Sequence, residues 1–207
     1  MAKPADTAES PTLSTPSRRK GDKRERTRAK LLEAARSLLR EKGYEHTSLE
    51  DVAARAGMTT GAIYGNFKNR DDLLIALGQT YWAPIKPRVK PGASFSDVMR
   101  AMAEATIAAI PERAAAAVGR LTGLAYALTH EELRARVASV TAGSYEFGEG
   151  WLRGIAKKGD LPMPAGQLVR VIHALTEGLV FQRLLTPELI PDEVIRAAFL
   201  ALANQRE

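Results

Sequence analysis

The 207-residue chain contains no cysteine. It can form no disulfide, offers no thiolate nucleophile and carries no thiol redox switch, which removes several enzyme and sensor classes. It also has no apolar run long enough to span a bilayer, for which about 18 residues are needed, and no charged-then-apolar leader. A soluble, cytoplasmic protein without membrane attachment is therefore expected. Metal-ligand spacing is missing too, because His46, His130 and His173 lie far apart, and neither Gly-x-Ser-x-Gly nor His-Glu-x-x-His occurs. The glycine-rich run Gly143 to Gly150 (GSYEFGEG) lacks the lysine and hydroxyl residue of a phosphate loop and follows no strand. Its glycines are expected to loosen or kink a helix, each costing about 1 kcal/mol relative to alanine. No catalytic residue, no metal and no cofactor is expected, so a small helical enzyme lacks the groups its chemistry would need.

What is present is positive charge at one end. Residues 1–30 hold nine Lys/Arg against four Asp/Glu, whereas residues 79–207 hold fifteen against thirteen. A basic end beside a near-neutral body suits a head that binds a polyanion, since neutralising phosphates drives non-specific nucleic-acid affinity. A solvated basic tail would have the same composition. Residues 1–21, rich in Pro, Ser, Thr and Ala, show no apolar period and are read as a disordered basic arm.

From Asp22 the pattern becomes helical. Asp22 with Glu25 can form a capping box, Leu31, Leu32, Ala35, Leu38 and Leu39 recur at helical spacing, and Gly43 stands where a left-handed cap belongs, so a helix is expected over roughly 23–42. The segment Thr47 to Phe67 (TSLEDVAARAGMTTGAIYGNF) reads as two short helices joined by a tight turn, started by Thr47 with Glu50 or by Ser48 with Asp51. Asn69 with Asp72 starts a fourth helix that carries Leu73, Leu74 and Leu77 to Trp82, and the proline-rich piece 84–92 ends it. Beyond Gly92 no segment alternates with period two, and apolar residues return at three-and-four spacing. The fold class expected is all-α: a three-helix helix-turn-helix head at 22–68 and a helical ligand-binding and dimerisation bundle at 69–207. Breaks are expected near Pro111, His130, 161–166 and 186–191.

The 48–67 spacing suggests a mechanism. In a helix-turn-helix the crossing point needs a small residue, the turn needs a glycine able to take positive φ, and the second helix needs an apolar anchor. Ala53, Gly57 and Ile63 fill those roles, with Leu49, Val52 and Phe67 completing a small core. Thr59, Thr60, Gly61, Ala62, Tyr64, Gly65 and Asn66 are left on the presented face, where short polar residues can approach base edges and Tyr and Lys reach phosphates. The alternative, a hairpin inside a bundle core, does not need Thr-Thr-Gly-Ala and Tyr-Gly-Asn on one helix.

The run from Arg26 to Leu74 (RTRAKLLEAARSLLREKGYEHTSLEDVAARAGMTTGAIYGNFKNRDDLL) resembles the DNA-binding head of TetR-family regulators. The resemblance implies a homodimer on palindromic double-stranded operator DNA, usually a repressor released by a small ligand held in the body. It points to Thr47, Thr60, Tyr64, Lys68 and Arg70 as DNA-backbone contacts and to Thr59, Ala62, Gly65 and Asn66 as the residues nearest the bases, with Ser48 opening the segment. Gly65 departs from the family, which often has an aromatic after the tyrosine. Arg18, Arg19, Lys20, Lys23, Arg24 and Arg26 are candidates to follow the adjacent minor groove.

In the body, residues 165–185 are apolar nearly all round. Leu168, Ile172, Leu175, Gly178 and Leu179, with Val194, Ala198 and Leu202 of the last helix, are expected to pair with their copies as a four-helix interface, unless the first of these helices is central to a monomeric body. Trp82, Met99, Met102, Tyr126, Phe147, Trp151 and His173 lie on apolar helical faces. Individually each suits core packing, and together they are candidates to line a cavity for a small apolar or aromatic effector. A DNA-binding architectural protein without ligand remains the main rival reading.

Overall fold

The computed structural model describes residues 20–203, and every regular element among them is an α-helix. The first four are α1 (Lys20–Lys42), α2 (Leu49–Arg55), α3 (Thr60–Tyr64) and α4 (Arg70–Tyr81). They are followed by α5 (Phe95–Ala114), α6 (Ala117–Thr129), α7 (Glu131–Ile155), α8 (Ala165–Leu185) and α9 (Asp192–Ala203). This is the all-α architecture that the apolar spacing predicts.

Two local expectations are corrected. α1 already includes Lys20 and Gly21, so Asp22 lies inside its first turn, where its charge complements the positive helix end instead of capping it. The rest of the basic arm, with Arg18 and Arg19, lies outside the described residues. Pro111 does not end α5, because in the last turn it removes few backbone bonds and the helix continues to Ala114. The glycines of 143–150 lie within α7, which runs through them. At Gly148 a Cβ would stand 2.5 Å from Val169 Cγ2, so this glycine lets α7 lie close against α8.

Two apolar cores organise the chain. The first joins Leu31, Leu38, Val52, Ile63, Phe67 and Leu73, and runs on into Leu77 of α4, Ala127 of α6 and Leu133 of α7. The second gathers Phe95, Val98 and Met99 of α5, Leu152 of α7, Leu168 and Ile172 of α8, and Ile195 and Phe199 of α9. The loop after α4 is laced to the loop after α7. Gly92 N donates to Ile155 O at 2.9 Å and Lys157 N to Ala93 O at 2.9 Å, and Phe95 N donates to Asp160 Oδ2 at 2.6 Å.

α1 and α2 are also joined by charge. Arg55 donates to both carboxylate oxygens of Glu41, at 2.7 and 2.6 Å, and Ser37 Oγ donates to Glu41 Oε1 at 2.9 Å. These bonds hold the Glu41 carboxyl down at about 2, with Arg55 the largest cause. Because the folded pKa is depressed, the contribution of this pair is present above the ordinary carboxylate range and is lost as pH falls towards 2. A carbon-detected NMR titration is expected to place the Glu41 midpoint near 2 and to move it up in Arg55→Gln. An ordinary midpoint in the unaltered protein would refute the pairing in solution. Phe199 is fully buried, so Phe199→Ala is expected to cost about 3–5 kcal/mol in urea denaturation.

Candidate nucleic-acid interface and body cavity

The helix-turn-helix is built by caps at each end. Ser48 accepts from Asp51 N at 3.0 Å while Asp51 Oδ2 accepts from Ser48 N at 3.4 Å, so of the two starts open to the sequence the Ser48–Asp51 box is the one formed. α2 ends in a Schellman motif, with Met58 N donating to Ala53 O and Gly57 N to Ala54 O around Gly57 at φ +64°. A side chain at Gly57 meets no neighbour, so backbone conformation alone asks for glycine there. Ala53 and Ile63 are buried at the crossing of α2 and α3, and Phe67 closes the core beneath them.

The presented face divides into free and engaged residues. Thr60, Gly61, Gly65 and Lys68 are exposed. Thr59 is exposed and caps α3, its hydroxyl oxygen accepting from Ala62 N at 3.2 Å and leaving its proton free to donate. Tyr64 is 50% exposed, and its hydroxyl donates to Glu50 Oε1 at 2.8 Å. This bond raises the phenol's pKa. Ala62 and Asn66 are half-buried, and Asn66 Nδ2 turns back to the Ala62 carbonyl at 2.8 Å. Thr47 is buried, its hydroxyl donating to Gly43 O at 2.8 Å. Arg70 points away from this face: its Nη1 donates to Tyr126 Oη at 2.6 Å and its guanidinium lies 5.0 Å from the Tyr126 ring.

Two arginines of α1 have a role that the sequence reading missed. Arg28 Nη1 donates to Asn66 O at 3.3 Å and its guanidinium sits 4.6 Å from the Phe67 ring centre, while Arg24 Nη2 reaches Gly65 O at 3.5 Å. They complete carbonyls at the C-terminal end of α3, the end that favours cations. The signal was present as basic residues one turn apart, immediately before the apolar period of α1.

The body contains a cavity of about 770 Å³ between the C-terminal part of α1 and helices α4 to α8. Of the predicted ligand residues, Trp82, Met102 and His173 line it. Met99 is buried in the second core and Trp151 packs against that core. Tyr126 stacks on Tyr44 at 5.6 Å and on His130 at 3.6 Å, at the junction with the head. Phe147 is 78% exposed on the outside of α7. Helical spacing could not separate these cases, because it marks a face without saying what covers it.

Beside the Trp82 indole and the His173 ring, the cavity's polar groups come from residues that the sequence reading did not select as ligand contacts. Glu177 Oε1 accepts from Trp82 Nε1 at 3.0 Å and from Arg113 Nη1 at 2.8 Å. Arg113 is buried, donates from Nε to Ala83 O at 2.9 Å and lies 4.5 Å from the Trp82 ring centre. Burial pulls its pKa down. Tyr145 Oη lies 2.9 Å from His173 Nδ1, and desolvation lowers the His173 pKa. The available signal was a charge on an apolar helix, as at Glu177. Among the described residues, no group of three or more acidic or histidine side chains is placed to hold a metal, and no helix is long and apolar enough to cross a membrane.

The expected dimer residues also separate. Leu168 and Ile172 are buried in the protomer's own core, which removes them from an exposed interface. They face inward because α8 packs on both α5 and α7 within one chain. Leu175, Leu179 and Leu202 are partly buried against the same core. Gly178 and Val194 are exposed, and Ala198 is half-buried.

Residues 31–77 match the family model described as bacterial regulatory proteins, tetR family. The HTH-type transcriptional regulator TtgR of Pseudomonas putida is 42% identical over 60 residues, which are 29% of this chain and 29% of that protein. The matched stretch thus spans less than a third of the length of this curated relative. In structure, NalD, the secondary repressor of the MexAB-OprM multidrug efflux pump in Pseudomonas aeruginosa, superposes with a TM-score of 0.54 at 24% identity, over 86% of this chain and 94% of that one. The complex of SmeT with triclosan gives 0.58 at 22% identity, over 86% and 90%; SmeT is the repressor of the Stenotrophomonas maltophilia efflux pump SmeDEF. Residues 31–77 thus carry the helix-turn-helix head of the tetR family of bacterial regulatory proteins, on a body whose fold is that of these solved neighbours.

Proposed function

We propose that this chain is a transcriptional repressor that binds a palindromic operator as a homodimer and leaves it when a small apolar or aromatic molecule occupies the body cavity. The observation that carries this reading is the head. A capping-box helix, a positive-φ glycine turn and an exposed α3 lie within the stretch that matches the family model. Thr59 and Thr60, with Lys68 beyond them, offer donors on the exposed side. Tyr64 reaches a phosphate by giving up Glu50. In this reading Ala62, Gly65 and Asn66 act mainly by leaving room for the major groove, since Asn66 is engaged with its own helix. Efflux-pump regulation and ligand binding are properties of the named relatives; the cavity supports an effector here because its volume falls within the range of small-molecule sites.

Selection of bound DNA from a random pool is expected to yield a palindrome with half-sites one helical turn apart. Lys68→Ala should weaken binding on all sequences alike and lower the salt slope by about 1, whereas Thr59→Ala should change the preference among sequences. Failure to prefer any selected sequence over bulk DNA would overturn the regulator reading.

For the dimer, support comes from an outward stripe on α8, formed by Val171, Ala174 and Gly178, beside Val194 and Ala197 on α9. Gly178 meets no neighbour within 4 Å in the protomer, so Gly178→Arg is tolerated by the isolated fold. In a close helix-to-helix contact the same arginine would be an unpaired charge, which costs several kcal/mol. Sedimentation is expected to show monomers and gel-shift assays to show lost operator binding. A variant that stays dimeric would place the interface elsewhere.

A further inference from the structure

The charge inside the cavity is one-sided. Arg36, Arg40, Arg113 and Arg120 line it, and Glu177 is the one carboxylate among its lining residues. Glu177 is already engaged through Oε1, which accepts from both Trp82 and Arg113. Arg120 is different. Its Nη2 stands 3.7 Å from Glu177 Oε2, too far for a hydrogen bond, and its Nε is buried with no hydrogen-bond partner among the described residues. Its guanidinium lies 5.6 Å from the Trp82 ring centre, beside an apolar wall that includes Leu74, Leu77 and Ile172. Arg36 and Arg40, which both donate to Ala115 O, keep their charges at the α1 side of the same space.

From this arrangement we infer that the effector is an amphiphilic anion, an aromatic or aliphatic carboxylate whose acidic group pairs with Arg120 while its apolar part lies along Trp82 and α4. The inference rests on the proposed function and names the chemical class of its ligand. A cation would find one partner, Glu177 Oε2, beside the Arg120 guanidinium, and would enter a space whose lining carries four positive groups against one negative. A hydrocarbon of the same shape fills the apolar part and leaves Arg120 Nε without an acceptor, and a neutral carbonyl accepts without offsetting the positive charge. A carboxylate supplies that acceptor in bidentate form.

The test uses three probes on one skeleton, pyrenebutanoate, its primary amide and pyrenebutylammonium, titrated into the full protein without DNA and followed by probe fluorescence. The carboxylate is expected to bind about tenfold to a hundredfold more tightly than the ammonium, with the amide between, as for a net charge-assisted hydrogen bond. In Arg120→Met the carboxylate's advantage over the amide should shrink by about tenfold. In Glu177→Gln, which removes the competing negative charge while keeping the shape, the advantage should widen. Each readout is a ratio within one variant, so partial unfolding does not imitate it. Equal binding of the three, tighter binding of the ammonium, or an unchanged ratio in Arg120→Met would overturn the inference. Adding the selected operator DNA separates the two proposals. If the carboxylate is preferred yet does not release DNA, the repressor reading fails and this inference stands. If all three probes release DNA equally, the repressor reading stands and this inference fails.

Discussion

The arrangement of the chain depends on a single carboxylate, that of Glu177. It stands at the meeting point of four helices: Trp82 caps α4, Arg113 lies in the last turn of α5, Arg120 in α6, and Glu177 itself in α8. Arg113 in turn holds the Ala83 carbonyl, so the chain leaving α4 is fixed to the same point. Trp82 is further stacked on Phe181 of α8, with ring centres 5.3 Å apart. Removing one member of such a buried pair typically costs about 3–5 kcal/mol, because the partner's charge stays behind unpaired. The arrangement is tolerable because nearly every donor and acceptor in it is used, with Arg120 the exception.

At its other end α4 is held by a second polar set. Arg136 of α7 donates to Asn69 Oδ1 at 2.7 Å and pairs with Asp72, and Arg70 reaches across to Tyr126 of α6. Between the two ends Leu73, Leu74 and Leu77 are buried in the head's core, which also includes Ala127 and Leu133 of the body. α4 is thus shared: its side chains belong to the head and its termini are fixed to the body. The boundary between residues 68 and 69 that the sequence pattern suggests cuts through a continuous apolar core, and the proposed two-domain division is one of function more than of packing.

The parts of this structure that follow local rules were legible in the sequence. Ser48, Gly57, Asn69 and the apolar periods of α1 and α8 each act within a turn or two of their own position, so caps and helix boundaries could be read from spacing. Pro111 was misread because the effect of proline depends on its distance from the helix end, which tertiary packing decides. Glu177, Arg113 and Arg120 were missed for a deeper reason. They lie on three separate helices, and only the fold brings them together; Arg113 and Arg120 look locally like ordinary solvated charges, and the charge of Glu177 on an apolar helix marks a position without naming its partners. The same limit explains Phe147 and Leu168. Both sit on apolar helical faces, yet one is turned outward and the other is fully buried, since neighbouring helices determine which face is covered.

Under the proposed function, the geometry of α4 determines how a ligand is felt by the head. Its twelve residues make a rod about 18 Å long. A tilt of about 5° at Trp82 therefore displaces the Asn69 end by about 1.5 Å, and two copies in a dimer would change the separation of their α3 helices by up to twice that. Operator half-sites are spaced at roughly 34 Å, and a mismatch of this size breaks hydrogen bonds that tolerate only tenths of an ångström. The ligand must still favour the tilted state energetically. A molecule that binds both placements of α4 equally shifts nothing, however tightly it binds. A hundredfold loss of DNA affinity requires a preference of about 3 kcal/mol, and DNA must weaken the ligand by the same factor. The Glu177 cluster can supply a preference of that order, because Trp82 and Arg113 share Oε1 of a carboxylate whose Oε2 faces the Arg120 charge at 3.7 Å. A group that draws Arg120 towards itself weakens its hold on Glu177, and the Trp82–Glu177 bond that fixes the end of α4 responds directly.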